Sequence, residues 1–91
     1  MCLNDPTALG VIAAFENTKK NGNVYIYGVD GAADALAMIE KGKLTATAAQ
    51  FPDKIGKISA DTALKRLRGE KIEKYIYVPV ELINKSNLVY P

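Results

Sequence analysis

Residues 24–31 read VYIYGVDG, an apolar run that favours extended backbone and ends on a carboxylate followed by a glycine. Val24, Tyr25, Ile26 and Tyr27 show no polar alternation. That pattern predicts a strand over Val24–Gly28 covered on both faces, as in a parallel sheet sandwiched between helices. In open parallel sheets, ligands sit beyond the carboxyl ends of the strands, where loops leave the sheet and helices begin. Asp30 occupies that place.

Working outward, the flanking segments alternate helix and strand. Upstream, NDPTALGVIAAFENTKKNG offers Asp5 as N-cap and Pro6 as first helical residue, places Ala8, Val11, Ile12 and Phe15 on one face, and stops at Asn21-Gly22. Downstream, AADALAMIEKG predicts a shorter helix carrying Leu36 and Ile39 inward, with Gly42 as its stop. LTATAA is a second, small-residue strand. FPDKIGKISADTALKRLRG starts a third helix at Pro52 and stops it at Gly69, with Gly56, Ala60, Ala63, Leu64 and Leu67 as its buried face. YIYVPVELI is strand material interrupted by Pro79, which denies a ladder donor and marks an edge or a crossing between sheets. The order predicts an α/β fold of parallel-sheet βαβ units, a flavodoxin-like lobe. Only the stub Met1-Cys2-Leu3 precedes the first helix, so the chain is expected to begin mid-fold, as an incomplete fragment.

Composition removes whole classes of chemistry. Ninety-one residues, 48% of them hydrophobic, suit one small domain or part of a larger one. Twelve Lys plus Arg against 10 Asp plus Glu leave a net charge of +2, too little and too dispersed for a nucleic-acid footprint. Lys65, Arg66, Arg68, Lys71 and Lys74 read as a solvated surface around a helix end. The single cysteine and the absence of histidine withhold the parts of disulfides, metal cages and His-dependent triads, so neither cofactor nor metal is expected. The sequence shows no membrane span and no secretion segment, so the chain as written would be cytoplasmic. Tyr25, Tyr27, Tyr75 and Tyr77 are expected to pack along strands with hydroxyls at the rim.

Three polar residues share one placement. Asn4 follows the stub, Asp30 the first full strand and Gln50 the second. With strands about 4.8 Å apart, adjacent positions would form a row of roughly 10 Å, which a pyranose ring would fit. A carboxylate accepts from vicinal hydroxyls, whereas Asn and Gln amides both donate and accept. Taken singly, each has an ordinary explanation: a helix start, a turn and a solvated loop residue.

The stretches NDPTALGVIAAFE, VYIYGVDGAADALAMIEKGKLTATAAQFPDKIG and LKRLRGEKIEKYIYVPVELINKSN together resemble the C-terminal portion of a type I periplasmic sugar-binding protein, the ribose-binding-like branch of ABC-transporter solute-binding proteins. The resemblance implies a protein that is not an enzyme. It implies two α/β lobes closing on a pentose or hexose, with an ABC permease as partner of the parent protein, itself periplasmic or lipid-anchored outside the cell. It makes Asn4, Asp30 and Gln50 the hydroxyl ligands of the C-terminal lobe. Residues 1–50 would then be part of that lobe, 51–79 a helix and strand packing on the N-terminal lobe, and 80–91 the return crossover and tail.

With only one side of the clamp, the chain is expected to bind sugar negligibly by itself. Uncovered apolar faces predict homo-oligomers in which copies supply each other's missing layers. The effector domain of a Lac-repressor-type regulator is the alternative, although no helix-turn-helix is present. A Rossmann-like enzyme using Asp5 and Asp30 lacks the Gly-rich phosphate loop, since GVDGAA does not have the G-x-G-x-x-G spacing.

Overall fold

A computed structural model describes residues 1–18 and 24–88. It contains α1 (Asp5–Thr18), β1 (Tyr27–Asp30), α2 (Ala33–Glu40), β2 (Ala46–Ala49), α3 (Pro52–Leu67) and β3 (Glu81–Asn84). The predicted stop of the first helix at Asn21-Gly22 lies outside the described residues. Two compact units divide the chain: Met1–Gln50 with Glu81–Pro91, and Phe51–Val80.

The first unit is a three-stranded sheet in the order β1-β2-β3. β1 and β2 run parallel, Tyr27 opposite Ala46 and Asp30 opposite Ala49, joined through α2 as a βαβ unit. β3 pairs antiparallel with β2, and Glu81 lies opposite Ala49. The chain therefore rejoins the sheet at the end where β2 stops, which obliges β3 to run back along it. Beyond the other edge, the stub adds one rung, the Cys2 N–H donating to the Tyr27 carbonyl at 2.8 Å.

Ala8 and Ile12 of α1, Ala35, Leu36 and Ile39 of α2, and Ile26 and Leu44 beside the strands form the core, with Val11 and Phe15 packed against it. The inward face read for the first two helices is the one observed. α2 ends in a Schellman motif: the Gly42 N–H donates to the Ile39 carbonyl and the Lys43 N–H to that of Met38, with Gly42 at φ +78. Gly69 closes α3 in the same way, donating to Arg66 while Glu70 donates to Lys65.

Several expectations change. The N-cap of α1 is Asn4, not Asp5: Asn4 Oδ1 accepts the Thr7 N–H at 3.0 Å, while the Asp5 side chain turns inward. The strand read over Val24–Gly28 is ladder-paired only from Tyr27 to Asp30, because β2 begins downstream of the Gly42 turn and offers Val24 and Tyr25 no partner. Coverage on both faces is also overturned. Ile26 and Gly28 are buried, but Tyr25 is 78% exposed and Tyr27 lies on the same open face. The helices α1 and α2 share one core cluster and so cover a single face. The tyrosines accordingly face solvent rather than packing along covered strands.

In the second unit, α3 buries none of its residues, and Leu67 is 84% exposed. The face Gly56, Ala60, Ala63, Leu64 and Leu67 is not the packed one. The chain after the helix, through Ile72, Ile76 and Val78, runs instead along Ile55, Ile58 and Thr62. Branched aliphatic side chains offer that segment more apolar area than glycine and alanine do. No strand forms over residues 75–80, where Tyr75 and Tyr77 stack at 6.5 Å.

Candidate functional site

Strand β1 ends in an unusual backbone. Asp30 has φ 133, a conformation almost confined to glycine, and Gly31 follows at φ +82. A non-glycine residue held there costs on the order of 1–3 kcal/mol and persists only where its surroundings over-determine it. Those surroundings are polar, buried and fully paired.

Asp5 is completely buried. Its Oδ2 accepts the Gly31 N–H at 2.9 Å and the Ala32 N–H at 2.7 Å, and its Oδ1 accepts the Thr47 hydroxyl at 2.7 Å. Thr47 is itself fully buried, and its hydroxyl oxygen lies 3.3 Å from the Gly31 N–H. The carboxylate thus satisfies amides at the start of α2, whose N-cap residue, Ala32, has no side-chain cap. Gly28 leaves room for it, since a Cβ there would overlap Asp5 Oδ1. Gly31 is equally hemmed in, a Cβ there falling 2.8 Å from that of Ala49. Among the described residues, no buried side-chain nitrogen or oxygen lacks a partner.

Around this knot stand the three polar residues read from the sequence. Asn4 directly precedes Asp5. Its carboxamide oxygen is occupied, accepting the Thr7 N–H at 3.0 Å and the Thr7 hydroxyl at 2.7 Å. The Thr7 amide can only donate, so the oxygen must face it, and the NH₂ of Asn4 is left as a donor. Asp30 and Gln50 are exposed, and the Gln50 N–H donates to the Asp30 carbonyl at 3.1 Å. The main chains of Asp30 and Gln50 are thus joined at the carboxyl end of β1 and β2, and Asn4 adjoins Asp5, whose carboxylate meets the Gly31 N–H there. The set comprises a donor from Asn4, an acceptor from Asp30 and a group capable of both at Gln50, which suits alcohol hydroxyls.

Asp5 as a buried hub and Thr47 as its partner were missed in the sequence. Their signal was Gly28, since a glycine inside a strand marks a close approach of another group. A separate hollow of about 470 Å³ sits near the opposite ends of the strands, lined by Ile12, Phe15, Ile26 and Leu44 with the Lys43–Glu16 ion pair. Its walls are mainly apolar. Among the described residues, no cluster of three or more His, Cys, Asp or Glu could hold a metal, and no helix is long and apolar enough to cross a membrane.

Comparison with known proteins gives consistent matches. A family model described as a periplasmic binding protein domain matches residues 1–71. The ribose import binding protein of Bacillus subtilis is 42% identical over 79 residues, which is 87% of this chain and 25% of that protein. An ABC transporter solute-binding protein from Agrobacterium vitis, solved with bound D-fucose, superposes with a TM-score of 0.82 at 36% identity, over 98% of this chain and 31% of that one. A periplasmic solute-binding protein from Actinobacillus succinogenes, solved with bound D-allose, gives 0.81 at 32% identity, over 91% and 29%. The chain spans about a quarter of the length of the curated relatives it matches.

Proposed function

Because this chain belongs to the periplasmic binding protein domain family, we propose that it supplies one wall of a monosaccharide site in a solute-binding protein of an ABC importer. Asn4, Asp30 and Gln50 are the proposed ligands of the sugar hydroxyls. The observation that carries this reading is the strained Asp30 backbone, tied to Gln50 by a hydrogen bond and, through Asp5, to Asn4. Backbone strain held by surrounding structure clusters at active sites and ligand clamps, which supports this reading. The sugars named for the relatives, ribose, D-allose and D-fucose, support pentoses and hexoses as the class.

In this reading residues 1–50 belong to the ligand-binding lobe. Residues 51–79 form the part that packs on the opposing lobe, and 80–91 form the return crossover. The division of the chain after Gln50 and before Glu81 supports that partition. An ABC permease is the partner of the whole protein, which works in the periplasm or at the outer face of the membrane. No catalytic step is assigned. The exposed apolar residues Tyr25, Leu82, Leu67 and Tyr77 support self-association of this chain. Light scattering at about 100 µM should then give a mass above that of a monomer, whereas a monomeric mass refutes it.

One wall without burial gives few hydrogen bonds and little exclusion of water, so affinity should be in the millimolar range or weaker, around −4 kcal/mol. Titration of isotopically labelled chain with D-ribose, D-allose and D-fucose, up to about 200 mM, should shift the resonances of Asn4, Asp30–Ala32 and Gln50. Asp30→Ala should abolish the shifts, and calorimetry at micromolar concentrations should stay silent. Shifts confined to other residues, or indifferent to Asp30→Ala, would remove the carbohydrate reading.

A further inference from the structure

We infer that Asp5 is the positioning residue of this site: its buried carboxylate clamps the peptide between Asp30 and Gly31 and so sets the direction in which the Asp30 carboxylate points. The inference rests on the carbohydrate reading for what Asp30 meets, but its physical content is local.

The peptide plane joining Asp30 to Gly31 is held at both ends. Its carbonyl, on Asp30, accepts the Gln50 N–H at 3.1 Å, and its N–H, on Gly31, donates to Asp5 Oδ2 at 2.9 Å. The next plane is held by the same oxygen, which also accepts the Ala32 N–H at 2.7 Å. The preceding residues are fixed by the β1–β2 ladder, Val29 opposite Ala48 and Asp30 opposite Ala49. With both flanking peptides fixed, Asp30 has no freedom to leave φ 133 for the extended backbone it would otherwise prefer. The carboxylate is aimed in turn. Its second oxygen is anchored by the Thr47 hydroxyl from β2, and the absent side chain of Gly28 lets α1 seat it this close to β1.

A mere helix cap would need only one end of this arrangement, the amides of α2. The clamp also reaches Asn4, which is peptide-bonded to Asp5, and Gln50, whose N–H shares the clamped plane. One carboxylate therefore indexes all three proposed ligands to one another.

The test is Asp5→Ala in the full chain, which removes both acceptor oxygens. The Asp30 amide-to-α-proton coupling, small at φ 133, should shift to the large value of ordinary extended backbone. Sugar-induced shifts at Asp30–Ala32 should weaken at least fivefold, with the amide spectrum of α2 and β2 still that of a folded chain. Ile39→Val, a core change away from the clamp, lowers stability without touching it and should leave both readouts unmoved. If Asp5→Ala does not fold, Thr47→Val carries the same measurement, and Thr47→Ser should restore the wild-type coupling. An unchanged Asp30 coupling in a destabilised Asp5→Ala or Thr47→Val chain overturns the inference, because Asp5 would then stabilise without positioning. Absence of sugar shifts in the wild-type chain, with the coupling change still present, would sink the carbohydrate reading and leave the clamp standing.

Discussion

Gly28 and Asp30 lie two residues apart on β1 and respond to substitution in opposite directions. Gly28 faces Asp5 and Ala8 with no space for a methyl group. Gly28→Ala should therefore cost about 1–3 kcal/mol, read as a lower urea midpoint with unchanged slope. Asp30 bears strain that glycine does not, so Asp30→Gly should raise stability by about 1 kcal/mol after the larger chain entropy of glycine is deducted. The same change should abolish sugar-induced shifts, the trade expected where a residue is kept for binding. A loss of stability in Asp30→Gly would show that the backbone at this position is not strained. These residues also mark how far the sequence is legible. The end of an apolar strand on Asp-Gly located the rim, because parallel-sheet geometry puts functional loops there. The role of Asp5 was hidden because Asp-Pro is an ordinary helix start. Only contact with Gly31, Ala32 and Thr47, which are 26, 27 and 42 residues away in sequence, shows otherwise.

Legibility at the level of elements follows from whether the deciding force is local. α2 could be read to its last turn because Gly42 and the inward Leu36 and Ile39 act within the helix itself. α3 could be delimited by Pro52 and Gly69 but not oriented, since its packed face depends on where the segment through Ile72 and Ile76 returns. β3 lies within the stretch read as a return crossover, and its antiparallel pairing with β2 is a matter of chain path that no local pattern records. Its free edge has its own protection. The Asn84 N–H donates to Asn87 Oδ1 at 2.7 Å and Asn87 Nδ2 donates to the Leu82 carbonyl at 2.8 Å, so one carboxamide stands in for a neighbouring strand. Asn87→Ala should uncover that donor and acceptor and shift sedimentation velocity profiles toward larger species at equal concentration. An unchanged profile would mean the edge is not the limiting surface.

On α3, Lys57 and Asp61 form an i,i+4 pair at 2.8 Å that lowers the Asp61 pKa below its ordinary 3.8 and raises that of Lys57 above 10.5. For Asp61 the support to the helix is complete above pH of about 4 and is lost as pH falls through the lowered pKa. For Lys57 it is complete below its ordinary pKa and is lost as pH rises through the raised one. Carboxyl titration should place the Asp61 midpoint below 3.8 and return it toward that value in Lys57→Met.

Over the whole molecule, stability is unevenly distributed, and the division after Gln50 locates the boundary. Among the described residues of the first unit nine apolar side chains are buried, together with Asp5 and Thr47, all within residues 5–49. In the second unit, Phe51–Val80, none of the described residues is buried, and its helix is held by half-buried contacts of Ile58 and Thr62. Opening free energy tracks buried apolar contact, so the two units should not open together. Amide exchange in α3 should be at least ~100-fold faster than in α2 and β2, approaching that of an isolated helix of similar length, which is marginal in water. Limited proteolysis should accordingly cut first between Arg66 and Lys74, where basic residues offer trypsin its sites on exposed chain. Equal protection in both units would require that the apolar residues of α3 be covered, and the same measurement repeated at tenfold dilution would identify that cover. Protection that falls on dilution belongs to association between copies, and protection that does not belongs to the single chain.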